Sequence, residues 1–147
     1  MSPDGGEPEL VVAEREFEHP NGLCFSPDES RLYVNDTPRM HVKVFDVRPD
    51  GSLSEPAVFF DGMHADDAAS GAPDGMKCDE RGNVWVTGPG GVWVISPERE
   101  HLGTIRVPER VANLTWGGPQ WRTLYLAAST SIYRVPTRVA SARLPHH

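Results

Sequence analysis

An all-β fold of small antiparallel sheets is what this sequence predicts, on three observations. Short runs of β-branched and aromatic residues alternate with turn signals from about residue 10 to residue 135. No window keeps a helical hydrophobic period. Fourteen Gly and fourteen Pro in 147 residues favour turns over long helices. The length is that of one domain, and 38% hydrophobic with 24% charged residues predicts a packed core rather than disorder.

The elements follow in order. Residues 23–25, 31–34, 41–47 and 57–60 read as four strands. They are separated by Ser26-Pro27-Asp28-Glu29, a segment around Thr37-Pro38, and Arg48-Pro49-Asp50-Gly51, whose Pro, Asp and Gly pre-set turn geometry. Residues 11–17 read as one further outer strand. The pattern then recurs at 76–78, 83–86, 91–95 and 102–107, and again, with three strands, at 113–116, 123–126 and 131–135. The second strands match one another: Arg31-Leu32-Tyr33-Val34, Asn83-Val84-Trp85-Val86 and Thr123-Leu124-Tyr125-Leu126. The third strands match less tightly: Val42-Lys43-Val44-Phe45, Val92-Trp93-Val94-Ile95 and Ile132-Tyr133-Arg134-Val135. Fixed-order repeats of about forty residues, each a small antiparallel sheet, are the mark of a β-propeller. A β-sandwich with regular turns is the competing reading.

Charge and composition exclude several functions. A formal net charge of −7 with only two lysines, Lys43 and Lys77, argues against nucleic-acid or anionic-membrane partners. No apolar run approaches the roughly 20 residues of a membrane span. Residues 1–10 are acidic and Gly/Pro-rich, unlike a signal peptide. Cys24 and Cys78 form no CxxC pair, so a reduced, cytoplasmic protein is expected.

The repeat aligns one chemically promising position. The segments entering the three innermost strands are Pro20-Asn21-Gly22-Leu23, Pro73-Asp74-Gly75-Met76 and Ala112-Asn113-Leu114-Thr115. Asn21, Asp74 and Asn113 are therefore expected at equivalent points around the mouth of a central channel. Carboxylate and amide oxygens converging there suit Ca²⁺ or Mg²⁺, or Mn²⁺ or Zn²⁺. Pro-Asp-Gly begins at residues 3, 49 and 73, so the tripeptide alone says little. The alignment and the strand after Met76 set the third copy apart.

These same blocks resemble the SMP-30/gluconolactonase/LRE family. The first runs through Pro20-Asn21-Gly22-Leu23, Phe25-Ser26-Pro27-Asp28 and Leu32-Tyr33-Val34. The second is Ala72-Pro73-Asp74-Gly75-Met76-Lys77 with Gly82-Asn83-Val84-Trp85-Val86 and Gly88-Pro89-Gly90-Gly91-Val92. The third is Ala112-Asn113-Leu114-Thr115-Trp116-Gly117-Gly118 with Thr123-Leu124-Tyr125. The resemblance covers residues 10–137, between a flexible tail at 1–9 and a loose one at 138–147, and reaches only the C-terminal half of the family.

The resemblance implies three four-stranded antiparallel blades, half of a six-bladed propeller. It also implies a divalent cation, Ca²⁺ first, in the channel, and hydrolysis of sugar lactones such as gluconolactone. By it, Asn21 is similar to the family's Asn metal ligand. Asp74 is similar to its Asp ligand and general base. The family's Glu ligand has no counterpart: Glu7, Glu9, Glu14, Glu16 and Glu18 precede the first block, but none sits in its motif.

Three blades do not close a ring. Either the chain is a fragment, or it pairs with a separate chain carrying the N-terminal half, or two copies close a six-bladed ring about a two-fold axis; the homodimer is favoured. Two functions follow: a metal-dependent lactonase, or a catalytically inactive half-propeller serving as an assembly or binding module.

The remaining candidates are weaker. His64, Asp66 and Asp67 lie in a small, polar loop that can overhang the channel, His64 and Asn113 being assigned to substrate. Asp36 reads as a turn-former, with a hydrogen-bonding role behind the site as the alternative. The two cysteines read as small hydrophobes. No serine sits in a G-x-S-x-G elbow. Trp85, Trp93, Trp116 and Trp121 read as packing between blades.

Overall fold

The computed structural model describes residues 5–64 and 70–143. Its first sheet runs β1 (Pro20–Phe25), β2 (Arg31–Asp36), β3 (His41–Asp46), β4 (Ala57–Phe60), each antiparallel to the last. The second repeats the order with β5 (Met76–Cys78), β6 (Val84–Gly88), β7 (Gly91–Ile95) and β8 (His101–Arg106). The third holds β9 (Val111–Gly117), β10 (Thr123–Ala128) and β11 (Ile132–Pro136).

The third sheet corrects the expectation of three four-stranded blades. Among the described residues no strand pairs with the outer edge of β11. The chain leaves that edge instead: Val139 and Ala140 are buried, Ser141 bridges Asp79, and the Ala142 N–H donates to the Cys78 carbonyl at 3.0 Å. Residues 138–143 are thus packed down rather than loose, and 144–147 lie outside the described residues. The outer strand expected at 11–17 is also absent. That segment holds a 3-10 turn, Glu14–Glu16, after which the Phe17 ring lies 6.1 Å from Phe45 on the first sheet. Lys43 fixes the turn by donating to the Glu16 carbonyl at 2.7 Å.

Two apolar layers join the sheets. Tyr33, Val42 and Phe59 of the first pack on Met76, Val84, Val86 and Trp93 of the second. Trp85 and Val92, on the opposite face of the second sheet, pack on Val111, Leu114, Trp116, Leu124 and Leu126 of the third. Trp85 and Trp116 meet edge to face at 5.1 Å. Each such side chain contributes about 1.5–3 kcal/mol on burial. The alternation of β6 therefore serves two interfaces at once, which is why all five of its residues are buried. Three of the four tryptophans are packing residues as expected; Trp121 is exposed.

Candidate functional site

Inner strands β1, β5 and β9 begin at the same end of the three sheets, and there the chain segments step onto one another. A Cβ on Gly22 would press into the Asp74 carbonyl, 3.0 Å from its carbon and 2.8 Å from Asn35 Nδ2. A Cβ on Gly75 would fall 2.7 Å from Asn113 Cα and 2.9 Å from the Ala112 carbonyl oxygen. Glycine is required at both because backbone meets backbone across the blades.

Polar side chains lock this contact. Asn35, fully buried at the end of β2, donates from Nδ2 to the Asp74 carbonyl at 2.6 Å and accepts the Gly22 N–H at 3.2 Å. Thr37 donates to the Pro73 carbonyl at 2.7 Å, and Thr87 Oγ1 accepts the Asp74 N–H at 3.1 Å. Asp74 is thus clamped through its backbone from both sheets. Among the described residues its carboxylate takes part in no hydrogen bond or ion pair. Asn21 is exposed and donates from Nδ2 to Thr37 Oγ1 at 3.2 Å, which orients its amide and leaves Oδ1 unengaged among the described residues.

Asn113 stands elsewhere than expected. Leu23 pairs with Val34, Met76 with Val86 and Leu114 with Leu126, and those partners end the three matching quartets. Asn113 is therefore level with Gly22 and Gly75, one residue past Asn21 and Asp74. The counterpart of those two is Ala112, at the bulge where pairing jumps from Asn113 to Val111. A bulge shifts side chains by one place and leaves no mark in a motif alignment. Asn113 Oδ1 accepts the Leu114 N–H at 2.8 Å, and its residue lines a recess of about 230 Å³ with Tyr125 and Ile132.

His64 is exposed on the loop after β4, its N–H donating to the Gly62 carbonyl at 2.7 Å beside the buried Met63. Among the described residues no hydrogen bond joins it to Asn21, Asp74 or Asn113. Asp66 and Asp67 lie outside the described residues. A recess of about 810 Å³ among Pro27, Glu80, Arg122 and Arg143 opens at the opposite end of the sheets.

Asp36 proves to be neither a turn-former nor exposed. Its buried carboxylate accepts the Glu18 N–H at 2.7 Å and the His19 N–H at 3.2 Å, with Arg39 Nε at 3.6 Å, and so fixes the chain entering β1. Burial opposes its ionisation, but those two N–H groups and the Arg39 cation outweigh it and hold its pKa below the ordinary value. Burial pushes the Cys24 thiol up to about 12 and raises Cys78 as well, so neither is a nucleophile.

The donor chemistry fits a hard divalent cation in part. Asp74 and Asn21 offer oxygens from pre-set segments, which Ca²⁺ or Mg²⁺ prefers. Among the described residues no group of three or more His, Cys, Asp and Glu converges. The chain thus contributes a fraction of the six to eight oxygens that Ca²⁺ takes.

Comparison with known proteins gives this geometry a context. The family model for an SMP-30/Gluconolactonase/LRE-like region matches residues 1–130. A gluconolactonase of Zymomonas mobilis is 33% identical over 143 residues, which are 94% of this chain and 39% of that protein. The solved structure of a Xanthomonas campestris gluconolactonase superimposes with a TM-score of 0.77 and 31% identity, over 92% of this chain and 42% of that one. A luciferin-regenerating enzyme gives a TM-score of 0.72 and 25% identity, over 87% of this chain and 49% of that one. The chain therefore spans between two fifths and half of the length of these relatives. Among the described residues no helix is long and apolar enough to cross a membrane.

Proposed function

The chain belongs to the SMP-30/gluconolactonase/LRE-like family, and from that premise we propose that it supplies the cation-holding half of a sugar-lactone hydrolase. Asp74 carries the reading: its backbone is fixed from two sheets while its carboxylate stays unengaged among the described residues. Asn21 Oδ1 and the Asp74 carboxylate would hold the cation, Ca²⁺ first among Ca²⁺, Mg²⁺, Mn²⁺ and Zn²⁺. A cation held there would polarise the lactone carbonyl. Asp74 accepts the proton of the attacking water. His64 and Asn113 are assigned to the substrate's hydroxyls.

Two copies of the chain complete the ring in this reading, so the axis carries two Asp74 and two Asn21 side chains. Those four side chains would be available to one cation or to two. A cytoplasmic location is part of the same reading, supported by the free Cys24 and Cys78.

The test is thermal unfolding with and without added cation. At a concentration one hundred times its Kd, a cation stabilises by about 2.7 kcal/mol. For a domain of this size that raises Tm by roughly 5–10 °C. Asp74→Ala is expected to abolish the rise. Lactone hydrolysis, followed as a fall in pH, is expected to stop on addition of EDTA. A wild-type Tm indifferent to all four cations would sink the metal assignment.

The inactive assembly module remains as a second reading because the chain spans 39% of its gluconolactonase relative. Formation of a dimer with no turnover under any of the four cations would favour it.

A further inference from the structure

The unpaired edge of the third sheet and the exposed segment before β1 are complementary in topology, hydrogen bonding and charge. In the first two sheets the outer strand leads directly into the inner strand of the next: β4 into β5, β8 into β9. By that rule the residues before β1 belong to the outer strand of a preceding sheet. Those residues read Glu9-Leu10-Val11-Val12-Ala13, β-prone and opened by Pro8. Leu10 is 82% exposed and Val11 61%.

Among the described residues the third sheet lacks this outer strand alone. β3 and β7 are covered by β4 and β8, and Val42 and Val92 are fully buried. Val42 and Val92 face the following sheet, and their counterpart Ile132 on β11, with no described sheet after it, is 79% exposed, so this seam is open on its face as well as its edge. The Ala128 N–H donates to the Ser131 carbonyl at 2.9 Å, which makes 128 and 131 a hydrogen-bonded pair. Alternation then turns the backbone groups of Tyr133 and Val135 toward β10, and those of Ile132 and Arg134 outward. Pro136, with no N–H to leave unpaired, occupies the next outward place.

The segment cannot serve its own β11. The Phe17 ring and Glu16 tie it to the far face of the first sheet. Two sheet spacings, about 20 Å, separate the first sheet from the third. Four extended residues span at most about 14 Å. Charge favours a second copy as the recipient: residues 5–13 carry Glu7 and Glu9 and no cation, whereas residues 132–138 carry the exposed Arg134 and Arg138 and no anion.

We propose that two copies of this chain exchange strands, residues 9–13 of each adding to β11 of the other as the missing fourth strand. The exchange rests on the two-copy reading above and deepens it. It happens twice about the two-fold axis, closing both seams of the ring. It also removes the exposed edge that would otherwise recruit other chains.

The test uses the full chain with Ca²⁺ present. Light scattering of the wild type is expected to give twice 16.2 kDa. Val11→Pro combined with Val12→Pro removes the segment's N–H groups at either register and lies outside every strand of the fold. It is expected to give 16.2 kDa with an unchanged far-UV spectrum. Arg134→Pro removes only an outward N–H on the receiving edge and should act alike. Hydrogen exchange should show the Ile132 and Arg134 amides protected in the wild type and unprotected in the double variant. A double variant that stays dimeric with those amides protected overturns strand exchange while leaving the dimer. A monomeric wild type overturns both, and the Tm response to cation then judges the metal reading by itself.

Discussion

Replacing Asn35 by Asp tests whether the site is held by a directed hydrogen bond or merely by a filled volume. The two side chains have the same shape. Asn35 donates to the Asp74 carbonyl at 2.6 Å and accepts the Gly22 N–H at 3.2 Å. Asn35→Asp keeps the acceptor and turns the donor into an oxygen facing an oxygen. A lost hydrogen bond costs about 1 kcal/mol, and a buried carbonyl left unpaired about 1–3 more. The ionised carboxylate, buried and without an ion-pair partner among the described residues, adds a desolvation cost. The expected loss is about 3 kcal/mol at pH 7, or roughly 6–12 °C in Tm for a domain of this size. The sign of the pH dependence sharpens the test. Burial raises the introduced carboxyl's pKa, so the proton that restores a donor is gained as pH falls, and the deficit against wild type shrinks toward acid. Thermal melts of both proteins between pH 4 and pH 8 read it. A deficit under about 0.5 kcal/mol at pH 7, or one that grows toward acid, would refute the clamp.

Three further outcomes follow from other parts of the same end of the fold. Gly22→Ala puts a methyl group into the Asp74 backbone, and a loss of about 1–3 kcal/mol by denaturant titration is expected, with a weakened Tm response to cation. The depressed Asp36 carboxyl contributes stability fully present above its ordinary value of 3.8 and lost as pH falls through the lower folded-state value. Asp36→Asn should therefore flatten the acid limb of the stability curve in that window. Half-buried Cys24, with its thiol pushed up to about 12, should react with a thiol reagent at pH 8 far more slowly than a free thiol, and buried Cys78 more slowly still.

What could be read from the sequence divides along one line. Strand identity was legible because aromatic and β-branched runs such as Val84-Trp85-Val86 have no other comfortable home. The positions of Asn21 and Asp74 were legible because a glycine follows each, and the structure explains those glycines by backbone contact between sheets. Asn113 was misplaced because the bulge at Ala112 is written in the pairing of β9 with β10, not in the segment itself. Asn35 escaped notice, and Asp36 was read first as a turn-former, for a related reason. Their partners lie 13 to 39 residues away, so no local motif marks them. Residues 11–17 have the composition of a strand, but composition does not name the edge a strand pairs with, and the segment packs on the first sheet through a 3-10 turn and Phe17 instead.

That last point ties assembly to chemistry. Asn21 enters β1 on the first sheet, with residues 16–20 between it and the exposed segment tied down by Lys43, Phe45 and Asp36. Asp74 sits one sheet further in, with neighbours on both sides. A cation needing six or more oxygens cannot be satisfied by Asp74 and Asn21 alone. Its affinity should accordingly rise with protein concentration as copies pair, whereas a site complete within one chain would bind independently of concentration.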